Sequence, residues 1–529
     1  MSKPRDLGTL FDELVTRRTR TVVRLARPLD IAPDFGTSYD VAALAALVRN
    51  AAGWLHTAGV RPGERVAIVK RNHWDYVLLA CAAVRIGAVP ALLSDQLAPH
   101  ALEVLLERLD PALLITTRAV LDTARAHGIT LISRAARTVT LEGRYPDTIN
   151  LERLTGHEPP APVTRDDDEP LLIVHTSGTT GVPKLVVHTN RTLVLGLAGG
   201  ECTRLPIVSA RKRDTVCSAI AFSHGRAVPW TVSALWLAPR EILIVDTADE
   251  AEPLLRAHPP TTLEALPSTF VRWRPLLERP DHPLRDVRVF VSTFDAVHPP
   301  TVRAFLHGTR RRPLWVQVWG QSETGPLTFR FLTRRSLSRR DARHPTTRNL
   351  GRPAPGRTRL RVVDPNTFLP VPRGTPGLVL VDSATQCVDY VGEHSRWSAK
   401  TDGEWWNTGD VGMRTRWGAY LMLDREVDVL PGASCVELED VLEERVPNVV
   451  ECVVLGTPGK LPQPVVVTRD GVLDPVLWRS ALRDLPALAE PVVLAWEQIP
   501  RTGTGKVRRM ELRAVLRAGQ DTFGSGRWT

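Results

Sequence analysis

Hydrophobic and polar positions along the first half of the chain follow two alternating periods. Segments such as "YDVAALAALVRNAAGWLHTAG" and "HWDYVLLACAAVRIGA" place apolar residues at helical spacing. Short apolar runs such as "ERVAIVK", "VPALL" and "ALLIT" separate these segments and predict buried strands. The succession predicts an α/β fold in which helices cover the faces of a mostly parallel sheet.

The pattern changes in the second half of the chain. After about Gly356 the segment "RLRVVDPNTFLPVPRGTPGLVLVDS" contains short strands and turns and predicts an antiparallel β region. The segments "ELEDVLEERVPNVVECVVLGTPG" and "PVLWRSALRDL" then return to helix and strand. We therefore predict a large N-terminal domain, residues 1–424, with layered α/β subdomains and a β-rich subdomain, followed by a small α+β domain, residues 425–529.

Charge and cysteine content disfavour several classes of function. The net charge is +10, but the arginines that produce it are scattered and are not interleaved with aromatic residues, which argues against a nucleic-acid partner. The six cysteines form no C-x-x-C pair, and no apolar run reaches the roughly 18 residues of a membrane span. Since the N-terminal residues lack the apolar core of a signal peptide, we expect a cytoplasmic protein with no membrane partner.

The stretch "HTSGTTGVPK" follows the apolar run "LLIV" and is rich in glycine and small hydroxyl residues. Backbone N–H groups and hydroxyls in such a loop suit an anion, usually phosphate. Lysine is scarce, with seven in 529 residues, so the lysine that closes this loop is a candidate for phosphate binding. The candidate residues are Thr176, Ser177, Gly178, Thr179, Thr180, Gly181 and Lys184.

Four further stretches combine glycine with polar or charged side chains. "VWGQSETGP" follows a strand and offers an aromatic ring for a base, a hydroxyl for a phosphate oxygen and a carboxylate for Mg²⁺. "EWWNTGDVG" and "LDREVD" place Asp410 and Arg425 where they could share the hydroxyls of a ribose. "IPRTGTGKVRR" sets Lys506 in a second glycine-rich loop near the C-terminus.

In this order and at these separations, the five stretches resemble those of the adenylate-forming superfamily, which contains acyl-CoA synthetases, adenylation domains of peptide synthetases and luciferase-like enzymes. The resemblance covers nearly the whole chain. It implies an enzyme that activates a small or aromatic acid with ATP and Mg²⁺, forms its AMP anhydride and releases pyrophosphate. It also implies that the C-terminal domain is a mobile lid over the active site.

The resemblance gives each candidate residue a role through its position in the motifs. The Thr176 to Lys184 loop would hold the β- and γ-phosphates, and Lys506 would bridge the acid and the α-phosphate during the attack. His224, in "AFSHGRAVPW", would line the substrate channel and act with Lys506 and Glu323 as a catalytic residue. The other nucleotide contacts would be Trp319 on adenine, Ser322 at the α-phosphate, Glu323 on Mg²⁺, and Asp410 with Arg425 on the ribose.

Two segments depart from the family pattern. Where relatives have two glycines and a small residue beside the acyl pocket, this chain has Thr293, Phe294 and Asp295, which should shrink the space for a substrate. After Arg425 the E-x-E motif, Glu437 to Glu439, comes about four residues earlier than in many members of the family. The usual hinge position, two residues after the arginine, is Val427. The shortening puts transfer to CoA or a carrier protein in doubt. The predicted substrate pocket comprises His224, Arg226, Phe294, Asp295 and Gly320.

The sequence leaves three functions open. The first is ligation of a small or aromatic carboxylate to CoA or to a carrier-protein thiol, which is the commonest outcome in the family. The second is adenylation with a non-thiol acceptor, such as amide formation or diazotase-like activation of nitrite for an arylamine. The third, a catalytically silent nucleotide-binding protein, is disfavoured because the candidate catalytic and nucleotide-binding residues are all present.

Overall fold

The fold comes from a computed structural model, which describes residues 3–176, 182–337, 347–425, 434–456 and 460–523. Within these residues the strands form three sheets. The succession of helices and strands confirms the α/β class predicted from the hydrophobic pattern. No helix in the described part of the chain is both long and apolar enough to cross a membrane.

The first sheet has eight strands in the described ranges, and its central strands are parallel. Every residue of the strand Val89–Ser94 is buried, which explains why that segment is a continuous apolar run without alternation. Across the sheet the strands are Asp389–Tyr390, Leu185–Thr189, Pro170–His175, Val89–Ser94, Arg65–Lys70, Leu113–Thr116, Thr138–Thr140 and Ile149–Asn150.

The second sheet has fourteen strands in the described ranges and changes character along its width. Strands on one side pair mostly in parallel, whereas those from Gly325–Leu332 onward pair antiparallel. The β-rich region predicted after Gly356 therefore continues this sheet. Across it lie Thr358–Val363, Gly377–Ser383, Trp405–Arg414, Tyr420–Arg425, Asn349–Pro353, Gly325–Leu332, Leu314–Gln321, Val289–Ser292, Thr262–Ala265, Thr215–Ala219, Glu241–Ile244, Val22–Leu25 and Ser38–Tyr39, with Thr401–Asp402 paired to Trp405–Arg414.

Amphipathic helices cover the two large sheets. In Pro99–Leu109 the buried side chains are leucines 102, 105, 106 and 109, the helical spacing that defines one apolar face. The helices of this part are Leu10–Thr16, Val41–Thr57, Asp75–Arg85, Pro99–Leu109, Arg118–Ala126, Gly199–Glu201, Ala227–Leu237, Glu252–Ala257, Pro267–Trp273, Pro299–Gly308 and His394–Ser398, with a π-helix, Arg191–Ala198, and 3₁₀ turns at Pro33–Phe35, Leu131–Arg134, Leu151–Arg153, Arg274–Glu278 and Arg334–Leu337.

Residues from Cys435 onward build a smaller unit around the third sheet. Its core contains the aliphatic face of the helix Cys435–Arg445 packed against the strand Val449–Leu455. The predicted helix and strand of this segment are thus confirmed. The unit comprises strands Val449–Leu455, Gln463–Thr468 and Val492–Val493, helices Cys435–Arg445, Pro475–Ala481 and Arg509–Phe523, and the 3₁₀ turn Trp496–Gln498.

A buried ionic cluster, which we call the clasp, joins the C-terminal unit to the large part of the protein. His298 Nδ1 lies 2.6 Å from Asp440 Oδ1, and His298 Nε2 lies 3.8 Å from Glu443 Oε1. The Thr347 N–H donates to Asp440 Oδ2 at 3.2 Å. Burial disfavours protonation of His298, but the surrounding carboxylates outweigh burial and raise its pKa to about 10. The clasp, residues His298, Thr347, Asp440 and Glu443, is therefore a charged contact.

Candidate active site

A cavity of about 1760 Å³ is lined by residues of both large sheets and of the C-terminal unit. Its walls bring together side chains that are far apart in the sequence. A cavity shared by several structural units is the usual place for a ligand. The predicted site residues that line it are Thr176, Lys184, His224, Arg226, Phe294, Gly320, Ser322, Glu323, Asp410 and Lys506.

The phosphate-loop candidate is closed at its base by two hydrogen bonds. It connects the antiparallel strands Pro170–His175 and Leu185–Thr189. The Thr176 N–H donates to Lys184 O at 3.0 Å, and the Lys184 N–H donates to Thr176 Oγ1 at 3.1 Å. These bonds fix the two ends of the loop at the cavity. The predicted residues Ser177, Gly178, Thr179, Thr180 and Gly181 lie outside the described residues.

Glu323 is held at the cavity wall by a tyrosine and a lysine. The Tyr390 hydroxyl donates to Glu323 Oε1 at 2.7 Å, and Lys184 Nζ lies 3.8 Å from the same oxygen. Burial, together with the Glu323 carboxylate, raises the pKa of Tyr390, which keeps that hydroxyl a donor. One carboxylate oxygen is thus fixed, and the other has no hydrogen-bond partner among the described residues.

Lys400 adds a third lysine to the cavity wall, next to Lys184 and Lys506. Its Nζ lies 5.1 Å from the centre of the Trp406 ring, and burial lowers its pKa. Three of the seven lysines in the chain therefore meet at one cavity. The motifs did not single out Lys400, although the scarcity of lysine was a signal that could have found it. Positive charge concentrated in a cleft suits a polyphosphate.

Asp410 is oriented by Gln321, which also lies in the motif "VWGQSETGP". The Gln321 amide donates to Asp410 Oδ2 at 3.0 Å and to Thr408 O at 2.8 Å. The Asp410 N–H donates to Thr408 Oγ1 at 3.1 Å, so the strand and the side chain are held together. The Cα of Asp410 pairs with that of Arg425 across the sheet, while the Arg425 side chain lies outside the described residues.

His224 lies between Ser322 and Phe294 on the cavity wall. The Arg226 N–H donates to His224 Nδ1 at 3.1 Å, so the ring proton lies on Nε2, which is 3.3 Å from Ser322 Oγ. Burial, together with nearby positive groups including Lys506 and Arg226, lowers the pKa of His224 to about 3. The ring is therefore a neutral hydrogen-bond donor, and it packs edge to face on Phe294 with centroids 4.8 Å apart.

The loop that carries Lys506 is docked tightly against the large part of the protein. A side chain on Gly503 would bring its Cβ within 2.4 Å of Ser94 Oγ, and one on Gly505 within 2.2 Å of Ser268 Oγ. Gly505 also has a φ of +77°, which favours glycine. The backbone therefore reaches the cavity rim because both positions lack a side chain, and Lys506 lines the cavity.

A second ionic cluster, the pocket cluster Glu201, Arg226 and Glu264, lies on the cavity wall. Arg226 Nε and Nη2 donate to the two oxygens of Glu264 at 2.8 and 2.9 Å, and Nη1 donates to Glu201 Oε1. Ser233 Oγ donates to Glu201 Oε2 at 2.8 Å. Arg226, predicted as a pocket residue, is thus paired with two protein carboxylates that the sequence did not reveal.

Two of the predicted residues whose side chains the structure describes are not among those lining the cavity. Trp319 is half-buried against the main hydrophobic core, and Asp295 is exposed. Phe294, between the pocket and Asp295, has a φ of +78°, a left-handed conformation that glycine adopts at less cost. The turn therefore keeps the backbone conformation of a glycine although a phenylalanine occupies it. The hinge candidate Val427 lies outside the described residues.

A protein-family match shows which class of enzyme this chain belongs to. The model of the family described as AMP-binding enzyme matches residues 18–390 of this chain. The match covers the phosphate loop, the pocket cluster and Glu323, and the site beyond it is completed by Asp410 and Lys506. The chain belongs to the AMP-binding enzyme family and is an adenylate-forming ligase.

Two relatives and one solved structure show which proteins this chain is similar to. The chain is 37% identical over 539 residues to 3-amino-2-hydroxy-4-methoxybenzoate diazotase of Streptomyces cremeus, covering 96% of this chain and 95% of that protein. It is 26% identical to 3-aminoavenalumate diazotase of a Streptomyces species, over 78% of this chain and 73% of that one. Among solved structures, the anthranilate CoA ligase AuaEII bound to anthranoyl-AMP has the same fold, with a TM-score of 0.80 at 20% identity over 98% of this chain and 99% of that one.

Proposed function

We propose that this enzyme is a diazotase, which activates nitrite with ATP and delivers it to an arylamine. The observation that carries the proposal is the 37% identity to a diazotase over 96% of the chain. An alignment of that length includes the segments that build the cavity. The likeness to a second diazotase, at 26% identity, supports the same assignment.

The wall of the cavity agrees with a small activated anion. Phe294 occupies the position that is glycine in the family pattern and packs against His224, whose Nε2 faces Ser322 Oγ. The phenyl ring therefore takes up space beside the group predicted to contact the α-phosphate. Nitrite has only three heavy atoms and needs less room at this point than a carboxylic acid with its substituent.

The nucleotide would be held by the residues that the sequence motifs indicated. The loop from Thr176 to Lys184 would contact the β- and γ-phosphates, both with these two end residues and with the residues between them. Lys506 would neutralise charge as the anion approaches the α-phosphate, and Ser322 would bind a phosphate oxygen. Trp319 would stack on adenine, and Asp410 with Arg425 would bind the ribose. We add Lys400 to the groups that face the polyphosphate.

Mg²⁺ fits a nucleotide-bound position at Glu323. The described residues contain no group of three or more His, Cys, Asp or Glu side chains that could hold a metal by themselves. Mg²⁺ in nucleotide sites is commonly bound through one or two carboxylates, phosphate oxygens and water. Glu323 supplies one such carboxylate, and one of its oxygens has no hydrogen-bond partner in the part of the chain that the structure describes. The ion would neutralise phosphate charge there.

The chemistry takes place in two displacements. A nitrite oxygen bonds to the α-phosphorus of ATP, and the bond to the leaving pyrophosphate breaks. The arylamine nitrogen then bonds to the nitrosyl nitrogen, AMP leaves with the electron pair, and a proton is lost. The resulting N-nitroso arylamine takes up one proton, and its oxygen leaves as water together with the remaining N–H hydrogen, which gives the diazonium ion. The protein's part is to bring two anions together, which Lys506 and the other cavity lysines make possible.

The test is pyrophosphate release by purified enzyme with ATP and Mg²⁺. Nitrite is compared with benzoate, 3-aminobenzoate and 4-coumarate, each with and without CoA, and an arylamine is then added to the nitrite reaction. We expect nitrite to trigger pyrophosphate release. We also expect the arylamine to be converted to a diazonium ion, which is detected by coupling to a phenol to form an azo dye. Release with a carboxylate alone, followed by CoA-dependent thioester formation, would reject the proposal.

A thioester-forming ligase is the second candidate function. It is supported by the likeness, at 23–26% identity, to 4-coumarate, naphthoate and long-chain fatty-acid CoA ligases. In this case the same cavity would accept an aromatic carboxylate, and CoA or a carrier-protein thiol would attack the mixed anhydride. The segment expected to present the thiol, after Arg425, lies outside the described residues.

A further inference from the structure

The pocket cluster contains one cation and two anions on the wall of a ligand cavity. Arg226 has its pKa raised by Glu201 and Glu264, which outweigh the effect of burial, and it stays charged at every accessible pH. The formal charge of the cluster is therefore negative. A buried cluster that carries excess negative charge is stabilised by a ligand that donates hydrogen bonds.

The two carboxylates of the cluster are not equivalent. Both oxygens of Glu264 accept from Arg226, and only 6% of the Glu264 side chain is exposed. Glu201 receives one bond from Arg226 and one from Ser233, and 27% of its side chain is exposed. Since a carboxylate has about four acceptor sites, Glu201 retains capacity to accept from a ligand. Glu264 holds Arg226, and Glu201 is the carboxylate that the cavity can reach.

The helix that ends at Glu201 has an unusual form. Residues Arg191–Ala198 form a π-helix, which continues into Gly199–Glu201. π-helical segments are rare and occur frequently at functional sites. The wider turn changes the angular position of the residues that follow it. Here it sets Glu201, together with Leu193 and Leu197, on the cavity wall.

A neighbouring hydroxyl independently indicates a polar ligand. Thr262 is only 8% exposed, lines the same cavity, and its Oγ1 has no hydrogen-bond partner within the described residues. It lies two residues before Glu264 on the strand Thr262–Ala265, so both side chains point to the same face of the sheet. Buried hydroxyls normally have partners. Thr262 Oγ1 is itself enclosed, so rotation of the side chain toward the cavity would let a ligand group supply that partner.

Beside these polar groups the cavity wall is apolar, since Val216 pairs with Thr262 and Val291 pairs with Glu264 on the neighbouring strands. Val216, Val291 and Val318, on three different strands, line it, as does Trp230. A wall of this kind fits the faces of an aromatic ring. The combination is an apolar slot with one reachable carboxylate and one unpartnered hydroxyl at its polar end.

We propose that Glu201 is the specificity-determining residue for the aromatic substrate: its carboxylate accepts a hydrogen bond from an amino or hydroxyl substituent on the ring, distinct in the reacting complex from the amine that attacks the nitrosyl nitrogen, and Thr262 makes a second contact there. The proposal rests on the proposed function, because it gives the arylamine its binding site. The substituent is recognised by its N–H or O–H. A ligand with a methoxy group at the same ring position has no hydrogen to donate and therefore binds more weakly. A substituent carboxylate at this end would meet like charge and be rejected.

The test measures direct binding of three ligands that differ in one substituent: 3-aminobenzoate, 3-hydroxybenzoate and 3-methoxybenzoate. Titration calorimetry is run with wild-type enzyme and with Glu201→Gln, in the absence of nitrite and ATP. In the wild type we expect the amino or the hydroxy ligand, or both, to bind about tenfold tighter than the methoxy ligand, since a hydrogen bond to a charged group contributes that much. The affinities of 3-aminobenzoate and 3-hydroxybenzoate show whether Glu201 prefers an amino or a hydroxyl donor.

In Glu201→Gln we expect the preference to disappear, because the carboxylamide replaces an acceptor by a group that also donates. A purely structural role, in which Glu201 only holds Arg226, would weaken all three ligands by the same factor, and that result would overturn the proposal. Equal affinities in the wild type would overturn it as well. Glu201→Asp shortens the side chain by one methylene group, which moves the carboxylate away from the ligand but keeps its charge. This variant gives the same test if the glutamine variant does not fold.

Two further arms complete the design. Thr262→Val, which removes a hydroxyl with little change of shape, should weaken the donor ligands several-fold, and an unchanged affinity would reject the second contact. Glu250→Gln, an exposed glutamate with half of its side chain accessible, is the matched control and should leave all affinities as they are. Because binding is measured without nitrite, a failure of nitrite to release pyrophosphate rejects the diazotase proposal and leaves the ligand preference to be judged separately.

Discussion

The pocket cluster and the clasp are both buried ionic clusters, but they differ in the cation. In the pocket cluster the cation is Arg226, whose pKa is raised further by two carboxylates, so its charge does not change with pH. In the clasp the cation is His298, and burial raises the pKa of its partner Glu443 to about 7. A permanent charge suits a surface that must recognise the same ligand at all times. In the clasp, by contrast, the raised pKa of Glu443 makes the charge of the contact between the two units depend on pH.

The largest effect is expected where the contact between the two units serves catalysis. Lys506→Ala removes the one lysine that the C-terminal unit contributes to the described cavity wall. We expect pyrophosphate release to fall about 100- to 1000-fold, the cost of losing one group that stabilises the transition state. ATP binding, followed by calorimetry, should change little. Near-normal turnover in this variant would show that the C-terminal unit contributes no catalytic charge.

Removing the cation of the pocket cluster should have the next largest effect. Arg226→Leu leaves the buried Glu264 and the partly exposed Glu201 without their counter-ion. Removing the partner of a buried charge typically costs about 3–5 kcal/mol of the free energy of unfolding. Chemical denaturation of the enzyme measures that loss. The triple variant in which both glutamates also become leucine should recover most of it, because no unpaired charge then remains. A triple variant as unstable as the single one would mean that the cluster is needed for packing instead.

Removing the cation of the clasp should destabilise only the contact between the units. His298→Ala takes away the imidazolium that faces Asp440 and Glu443, although Asp440 keeps its bonds from Thr347. We expect a loss of about 1–3 kcal/mol, the cost of leaving a buried acceptor without its partner. In calorimetric unfolding the C-terminal unit should melt earlier while the main transition stays in place. A uniform shift of both transitions would argue against a local contact.

The smallest effect is a change in pH dependence. The folded-state pKa of Glu443, about 7, lies above its ordinary value of 4.5, so its contribution to stability is fully present below about pH 4.5 and is lost as the pH rises through 7. Glu443→Gln should therefore flatten the fall in melting temperature between pH 5 and pH 8 by a few degrees. The pocket-cluster variant Glu264→Gln is the comparison and should leave this slope unchanged. Parallel pH profiles for wild type and Glu443→Gln would contradict the assignment.

Local patterns in the sequence anticipated the elements of the fold but not the long-range contacts. The apolar periodicity of Pro99–Leu109 and the apolar run of Val89–Ser94 follow from neighbouring residues alone, so both were predictable. The continuation of the parallel sheet into the antiparallel strands depends on pairing between segments distant in the chain. No spacing rule carries that information.

The same difference between local patterns and long-range contacts separates the site residues that the sequence predicted from those that it did not. Lys184, Glu323 and Lys506 could be found because each lies in a glycine-rich motif, and the structure brings all three to one cavity. Glu201 and Glu264 could not be found, since each is an isolated glutamate in an otherwise apolar segment and becomes informative only through Arg226. The roles in nucleotide binding stay predictions, including that of Trp319, which does not line the cavity.

The docking of the Lys506 loop has an evolutionary consequence. Gly503 faces Ser94 and Gly505 faces Ser268 at distances that leave no room for a methyl group. A side chain gained at Gly503 must therefore be matched by space gained at Ser94, which couples the two units as they diverge, whereas the positive φ of Gly505 favours glycine whatever residue faces it. Across relatives the residues at positions 503 and 94 should vary together. A chimera that exchanges the C-terminal unit should stay active only where this pair matches.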